Sequence, residues 1–126
     1  MKENELILST LGKTWLFDLD GTIVKHNGYL NEGHDTLLGG VKEFFSSISD
    51  KDKIVIITSR KREFADNTEK FLRSNGIRFD HIIYDLPYGE RILINDRKPS
   101  GLKTALSINV KRDHPLKIVM REDANL

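Results

Sequence analysis

Short apolar runs alternate with longer amphipathic stretches along this chain, and the two periods predict different elements. "KTWLFDLD" (13–20) and "KIVIITS" (53–59) are brief and rich in β-branched and aromatic residues, the signature of strands buried in a parallel sheet. "DHIIYDL" (80–86) and "RILIND" (91–96) have the same character. Between the first two runs, Leu37, Leu38, Val41, Phe44, Phe45 and Ile48 recur at helical spacings and form one broad apolar face. Gly39 and Gly40 place the start of that helix around Gly40. Phe64, Ala65, Thr68, Phe71 and Leu72 mark a second helix, which Asn75-Gly76 closes. Strand, helix, strand, helix, strand predicts a three-layer α/β domain, a parallel sheet flanked by helices and joined by right-handed crossovers. "SINV" (107–110) and "LKIVM" (116–120) are candidates for a fifth strand and an edge strand, and "REDANL" (121–126) for a frayed tail.

Two segments break the alternation. Residues 25–36, "KHNGYLNEGHDT", are polar and contain glycine, so they are expected to form a flap over the sheet rather than an element of it. The link "PYGE" (87–90) between the third and fourth apolar runs is far shorter than the dozen or more residues of a helical crossover. Either the chain drops back in extended form, or one of the two runs is not a regular strand.

Composition narrows the functional classes. The 126 residues suit one domain, 1–126, and the 20 basic against 19 acidic side chains leave a net charge of +1. That balance gives no general electrostatic case for a nucleic-acid or membrane partner. The absence of cysteine excludes disulfides, thiolate nucleophiles and Cys-based zinc sites. The opening "MKENELILSTLGK" is too charged for a signal peptide, and no run approaches a spanning helix. The expectation is a soluble, cytoplasmic protein.

Ligands of an open α/β sheet gather beyond the carboxyl ends of its strands. The first run ends in Asp18 and Asp20, the second in Thr58-Ser59-Arg60, and the fourth in Asn95-Asp96-Arg97-Lys98. Each end alone is compatible with a turn or a helix cap. Together they would bring carboxylates, hydroxyls and cations to one rim, a set suited to phosphoryl transfer. Asp18 could act as a nucleophile that forms an aspartyl-phosphate. Asp20, on the same side of an extended chain, could protonate the leaving oxygen and then deprotonate water. Asp96 would add an oxygen ligand to Asp18 and Asp20, and an all-oxygen site suits Mg²⁺. Thr58 and Ser59 could bind phosphate oxygens, and Gly21 would let backbone N–H groups approach them.

These residues carry a resemblance. "DLDGT" resembles the DxDx[TV] first motif of the haloacid dehalogenase (HAD) superfamily, "IVIITS" its second motif, and "ILIND" its fourth. The match runs over roughly residues 13–100 in the expected order. It implies a Rossmann-like, HAD-type fold, Mg²⁺ dependence and phosphatase activity. By that resemblance Asp18 is the nucleophile, Asp20 the acid/base, Thr58 a phosphate ligand and Asp96 a metal ligand, with the Asp20 carbonyl also on the metal.

The departures from the pattern are specific. Leu86 stands where many short members carry a lysine, and Asn95 replaces one of two acids. Lys98, just after the fourth motif, is the candidate to neutralise phosphate charge in its stead. Arg60, Arg97 and His26 are weaker candidates for substrate contacts. No stretch is long enough for a cap domain. A capless member with no basic patch points to a small phosphorylated metabolite such as a sugar phosphate, and to a homo-oligomer that closes the site. The alternative is a non-catalytic HAD-like domain that binds a phosphosugar or a protein partner.

Overall fold

The computed structural model describes residues 5–126. The order of elements is β1 (Glu5–Leu8), β2 (Thr14–Asp18), α1 (Gly28–Asn31), α2 (Val41–Ser47), β3 (Lys53–Ile57), α3 (Ala65–Ser74), β4 (His81–Ile83) and β5 (Val119–Glu122). They make an α/β fold with two small parallel sheets, one of order β2-β3-β4 and one of β1 with β5.

Both predicted helices form where their periodicity placed them. Helix α2 begins after Gly40, whose φ of 78° is a left-handed value that glycine adopts without strain. A Cβ there would also strike the Leu116 carbonyl. Helix α3 ends in a Schellman arrangement: the Gly76 N–H donates to Arg73 O and the Ile77 N–H to Leu72 O, with Gly76 at φ 74°.

The main sheet is covered on one face. Trp15, Phe17, Ile54, Ile56 and Ile82 share that face through the β2-β3-β4 register. They pack with Phe44 and Phe45 of α2 and Phe71 and Leu72 of α3 in one core. Phe17 and Phe45 lie 4.5 Å apart between ring centroids, and Trp15 meets Phe44 edge-on at 5.6 Å. The other face carries Leu16, Asp18, Val55, Ile57, His81 and Ile83, none of them buried. Leu16 is 50% exposed and Ile83 48%. Among the described residues the sheet therefore has two layers rather than the expected three.

The expectations fail chiefly in the second half of the chain. "RILIND" is not a strand: residues 91–96 are exposed coil, with Ile92 83% and Ile94 90% exposed. The short 87–90 link explains this, because it cannot carry the chain back to start a further parallel strand. "SINV" likewise forms no strand. "LKIVM" does contribute, as β5, and Arg121 and Glu122 of the supposed frayed tail are paired in it with Ile7 and Leu8. The flap holds the single helical turn α1.

Asp52 ties the sheet to the preceding loop. Its buried carboxylate accepts from the Lys13 N–H at 3.0 Å and the Trp15 indole N–H at 2.9 Å. Replacing Asp52 by Ala strands both donors, so urea denaturation should show a loss of about 1–3 kcal/mol with little change in slope. Asp80 makes the matching contact on β3, where the Ile54 N–H donates at 2.8 Å. That bond first, then the charges of Lys53 and Arg78, hold the Asp80 carboxyl below its ordinary value. Its stabilising contribution is complete above about pH 4, the unfolded value, and is lost as pH falls through the lowered one. Asp80→Asn should accordingly flatten the acid side of a stability-versus-pH profile measured by thermal unfolding.

Candidate functional site

Asp18 is the last residue of β2, and its neighbour across the ladder is Ile57 of β3, which Thr58 follows. Parallel pairing thus puts the ends of both motif-bearing strands side by side. The chain turns at once after Asp18. The N–H groups of Ile23 and Val24 both donate to Leu19 O, at 2.9 and 3.1 Å, and Gly21 takes a φ of 89°. Leu19, Ile23 and Val24 are fully buried, which anchors the loop and leaves its polar residues at the rim.

The Asp18 carboxylate is partly exposed. The Thr22 hydroxyl donates to its Oδ2 at 3.1 Å, and the Arg91 guanidinium lies 3.3 Å from its Oδ1. Asp20 joins a buried ion cluster. Arg60, with a side chain 1% exposed, donates through Nη2 to Asp20 Oδ1 at 2.7 Å. Through Nη1 and Nη2 it reaches both oxygens of Asp35 at 2.9 Å, and through Nη1 the Thr68 hydroxyl at 2.8 Å. Its guanidinium carbon sits 3.7 Å from the centre of the Tyr29 ring. Burial opposes the charge of Arg60, but the hydrogen bonds to Asp35 and Asp20 outweigh it and hold the guanidinium well above its ordinary value. Tyr29 is shifted upward by its own burial and by the charge of Asp20.

The expected residues divide into two groups. Asp18, Asp20, Thr58, Ser59 and Gly21 gather at the β2–β3 rim. Thr58 is buried and its Oγ accepts from the Arg60 N–H at 3.0 Å, while the Ser59 hydroxyl donates to Pro87 O at 3.1 Å. The Gly21 N–H, expected to face a phosphate, instead donates to Val24 O at 2.7 Å. Arg60 is at the site but enclosed in the ion cluster, so it is not placed as a substrate contact. His26 stands in the flap with its backbone N–H donating to Asp113 Oδ1 at 2.7 Å, and its ring Nδ1 is buried without a partner.

Asp96, Arg97 and Lys98 lie apart, on an exposed arm that doubles back through a turn closed by the Gly101 N–H on Lys98 O at 2.8 Å. Asn95 Nδ2 donates to Thr104 Oγ at 2.8 Å across that turn. Among the described residues no three acidic or histidine side chains come together as a metal site. The carboxylates of one chain do not fit the Mg²⁺ expected of them. A guanidinium already lies against Asp18 and another against Asp20, and the third ligand, Asp96, is on the arm.

Sequence reasoning missed Asp35 and Asp113. Both lie in polar loops, and only the burial of Arg60, invisible in the sequence, gives Asp35 its role. Asp113 also donates its N–H to Gly21 O at 3.0 Å, so the C-terminal turn braces the first motif from behind. A depression of about 350 Å³ lined by Gly40, Glu43, Phe44 and Leu116 contains none of the rim residues. Comparison with known protein families, with curated proteins and with solved structures finds no match.

The ion cluster predicts a stability effect distinct from catalysis. Arg60→Met leaves Asp20 and Asp35 facing each other without a counter-charge, and should cost about 3–5 kcal/mol in urea denaturation. A second substitution, Asp35→Leu, should recover part of that loss by removing one of the two stranded carboxylates.

Proposed function

We propose that this chain is a HAD-type phosphohydrolase that acts on a small phosphorylated metabolite, such as a sugar phosphate, through an aspartyl-phosphate at Asp18. The observation that carries the reading is the juxtaposition at the β2–β3 rim. An accessible carboxylate oriented by Thr22 lies beside the end of the strand that carries Thr58, with Asp20 fixed two residues on. The order of the three resembling motifs supports it. The reading brings with it the three-layer HAD-type sheet, whose second covering layer a single chain does not supply.

In this mechanism an Asp18 oxygen attacks phosphorus, forming the acyl-phosphate bond as the P–O ester bond breaks. The leaving oxygen takes a proton from Asp20. Water then attacks the phosphorus of the intermediate and gives its proton back to Asp20, which releases inorganic phosphate and restores the Asp18 carboxylate. Asp20 Oδ2 is the atom suited to this exchange, because Arg60 Nε lies 3.4 Å from it whereas Oδ1 is held at 2.7 Å. Thr58 and Ser59 bind the non-bridging oxygens once their hydroxyls exchange partners. No step is assigned to Mg²⁺, since the carboxylates of one chain do not fit it.

A second reading draws on the two guanidinium groups that occupy Asp18 and Asp20. In that case the domain binds a phosphosugar or a protein without turnover. The test is hydrolysis of a generic aryl phosphate by the wild type with and without Mg²⁺, beside Asp18→Asn. The proposal expects turnover in the wild type and only background in Asp18→Asn. Equal rates in all three samples would sink it, and stabilisation by a phosphosugar without phosphate release would favour the second reading.

A further inference from the structure

Three features of the fold are left unpartnered, and they match one another. The first is the edge of the main sheet. Among the described residues, in the order β2-β3-β4, no strand pairs with the outer side of β2, which leaves that edge open to another strand. The second is the open face, where Leu16 and Ile83 are exposed and Val55 and Ile57 only partly buried, although parallel sheets are ordinarily buried on both sides. The third is the arm itself, with Ile92, Leu93 and Ile94 exposed in succession at 83, 56 and 90%.

The arm cannot fill the edge of its own chain. The link that leads to it is pinned at the carboxyl rim: the Asp85 N–H donates to Arg60 O, the Leu86 N–H to Thr58 O, and Ser59 to Pro87 O. A parallel strand beside β2 that brought Asp96 level with Asp18 would have to start with Ile92 level with Thr14. From Pro87 that start is about 22 Å away, counting about 3.3 Å per residue along the strands and 4.8 Å per strand across them. Five residue steps from Pro87 to Ile92 reach only about 17 Å when fully extended. A second copy of the chain has no such constraint.

We infer that the 91–109 arm is exchanged between two copies of this chain, each lending residues 92–96 as a fourth parallel strand to the outer edge of the other's β2. Parallel alternation then sets the contacts. With Asp96 opposite Asp18, Ile94 falls opposite Leu16 and Ile92 opposite Thr14, all on the open face, and Leu93 falls opposite Trp15 on the covered one. The arm's apolar side chains meet the apolar residues that lack cover. Its departure also lifts Arg91 from Asp18 of its own chain, and the partner's arm brings a third carboxylate and Lys98 to the same rim. The two-fold exchange is isologous, so both sites are completed alike.

The site chemistry of this inference rests on the phosphohydrolase reading, whereas the exchange itself does not. The native chain has no cysteine, so single cysteines report cleanly. Leu16→Cys and Ile94→Cys, both at exposed positions, are prepared separately, mixed and oxidised. Exchange predicts a disulfide-linked dimer in the mixture, of twice the 14.5 kDa chain mass, at several times the yield of either variant alone. A wild type that sediments as a monomer, or a Leu16→Cys/Ile94→Cys double variant that crosslinks only within one chain, overturns the inference. Activity supplies the second arm of the test. Asp18→Asn and Asp96→Asn, each inactive, should on mixing regain about a quarter of the wild-type rate, because random pairing gives one intact site in a quarter of all sites. Crosslinking without activity in any sample would uphold the exchange and count against the phosphohydrolase reading alone.

Discussion

The rim of this protein depends on one buried cation. Arg60, just past the end of β3, joins Asp20 of the first-motif loop, Asp35 of the flap and Thr68 of α3. A guanidinium has the planar fork to serve three partners at once, which an ammonium lacks. Burying it is costly on its own, and so the two carboxylates are as necessary to Arg60 as Arg60 is to them. The flap is polar and contains only one helical turn, and it has little apolar surface with which to dock. Its attachment near the strand ends comes through Asp35 and through Tyr29, which stacks on the same guanidinium.

A different constraint shapes the sheet. The two longer helices, α2 and α3, contribute to the same core, and after β4 no further helix follows. The chain instead runs through the arm and returns as β5 to pair with β1, packing Leu116, Ile118 and Met120 on the existing core rather than on the bare face. The one-sidedness thus follows from the connection after β4: residues 84–118 run to β5 as coil and turns and form no crossover helix, so no second layer is supplied.

The parts of the fold that rest on local periodicity were legible in the sequence. Val41, Phe44 and Phe45, or Thr68 and Leu72, declare a helix and its buried face without reference to anything distant. Glycines at 40 and 76 fix the two boundaries because only a left-handed backbone suits those positions. The β2, β3 and β4 runs were legible for the same reason. The "RILIND" run shows the limit. Its composition is that of a buried strand, but composition states only that the segment would gain from burial, not that its own chain can reach a place to be buried. The length of the preceding link decided that, and it was readable as a conflict though not as an outcome. The Arg60 cluster was illegible for another reason, since pairing across 25 and 40 residues leaves no periodic trace.

The two aspartates of "DLDGT" end in different electrostatic situations, and the difference bears on what each can do. Asp20 is held by a buried arginine whose other partners fix its position, so its carboxylate is oriented and hard to displace. Asp18 is opposed by Arg91 at 3.3 Å, in a pair exposed on both sides. Such a surface pair contributes at most about 1 kcal/mol, less than a phosphate dianion or an incoming strand could offset. A nucleophile has to be released to a substrate, while an acid/base has to be kept in line with it. Under the proposed mechanism, the rigid pair at Asp20 and the loose pair at Asp18 match those two tasks. That asymmetry is a physical reason to read the rim as a reactive site rather than as a turn with two capping carboxylates.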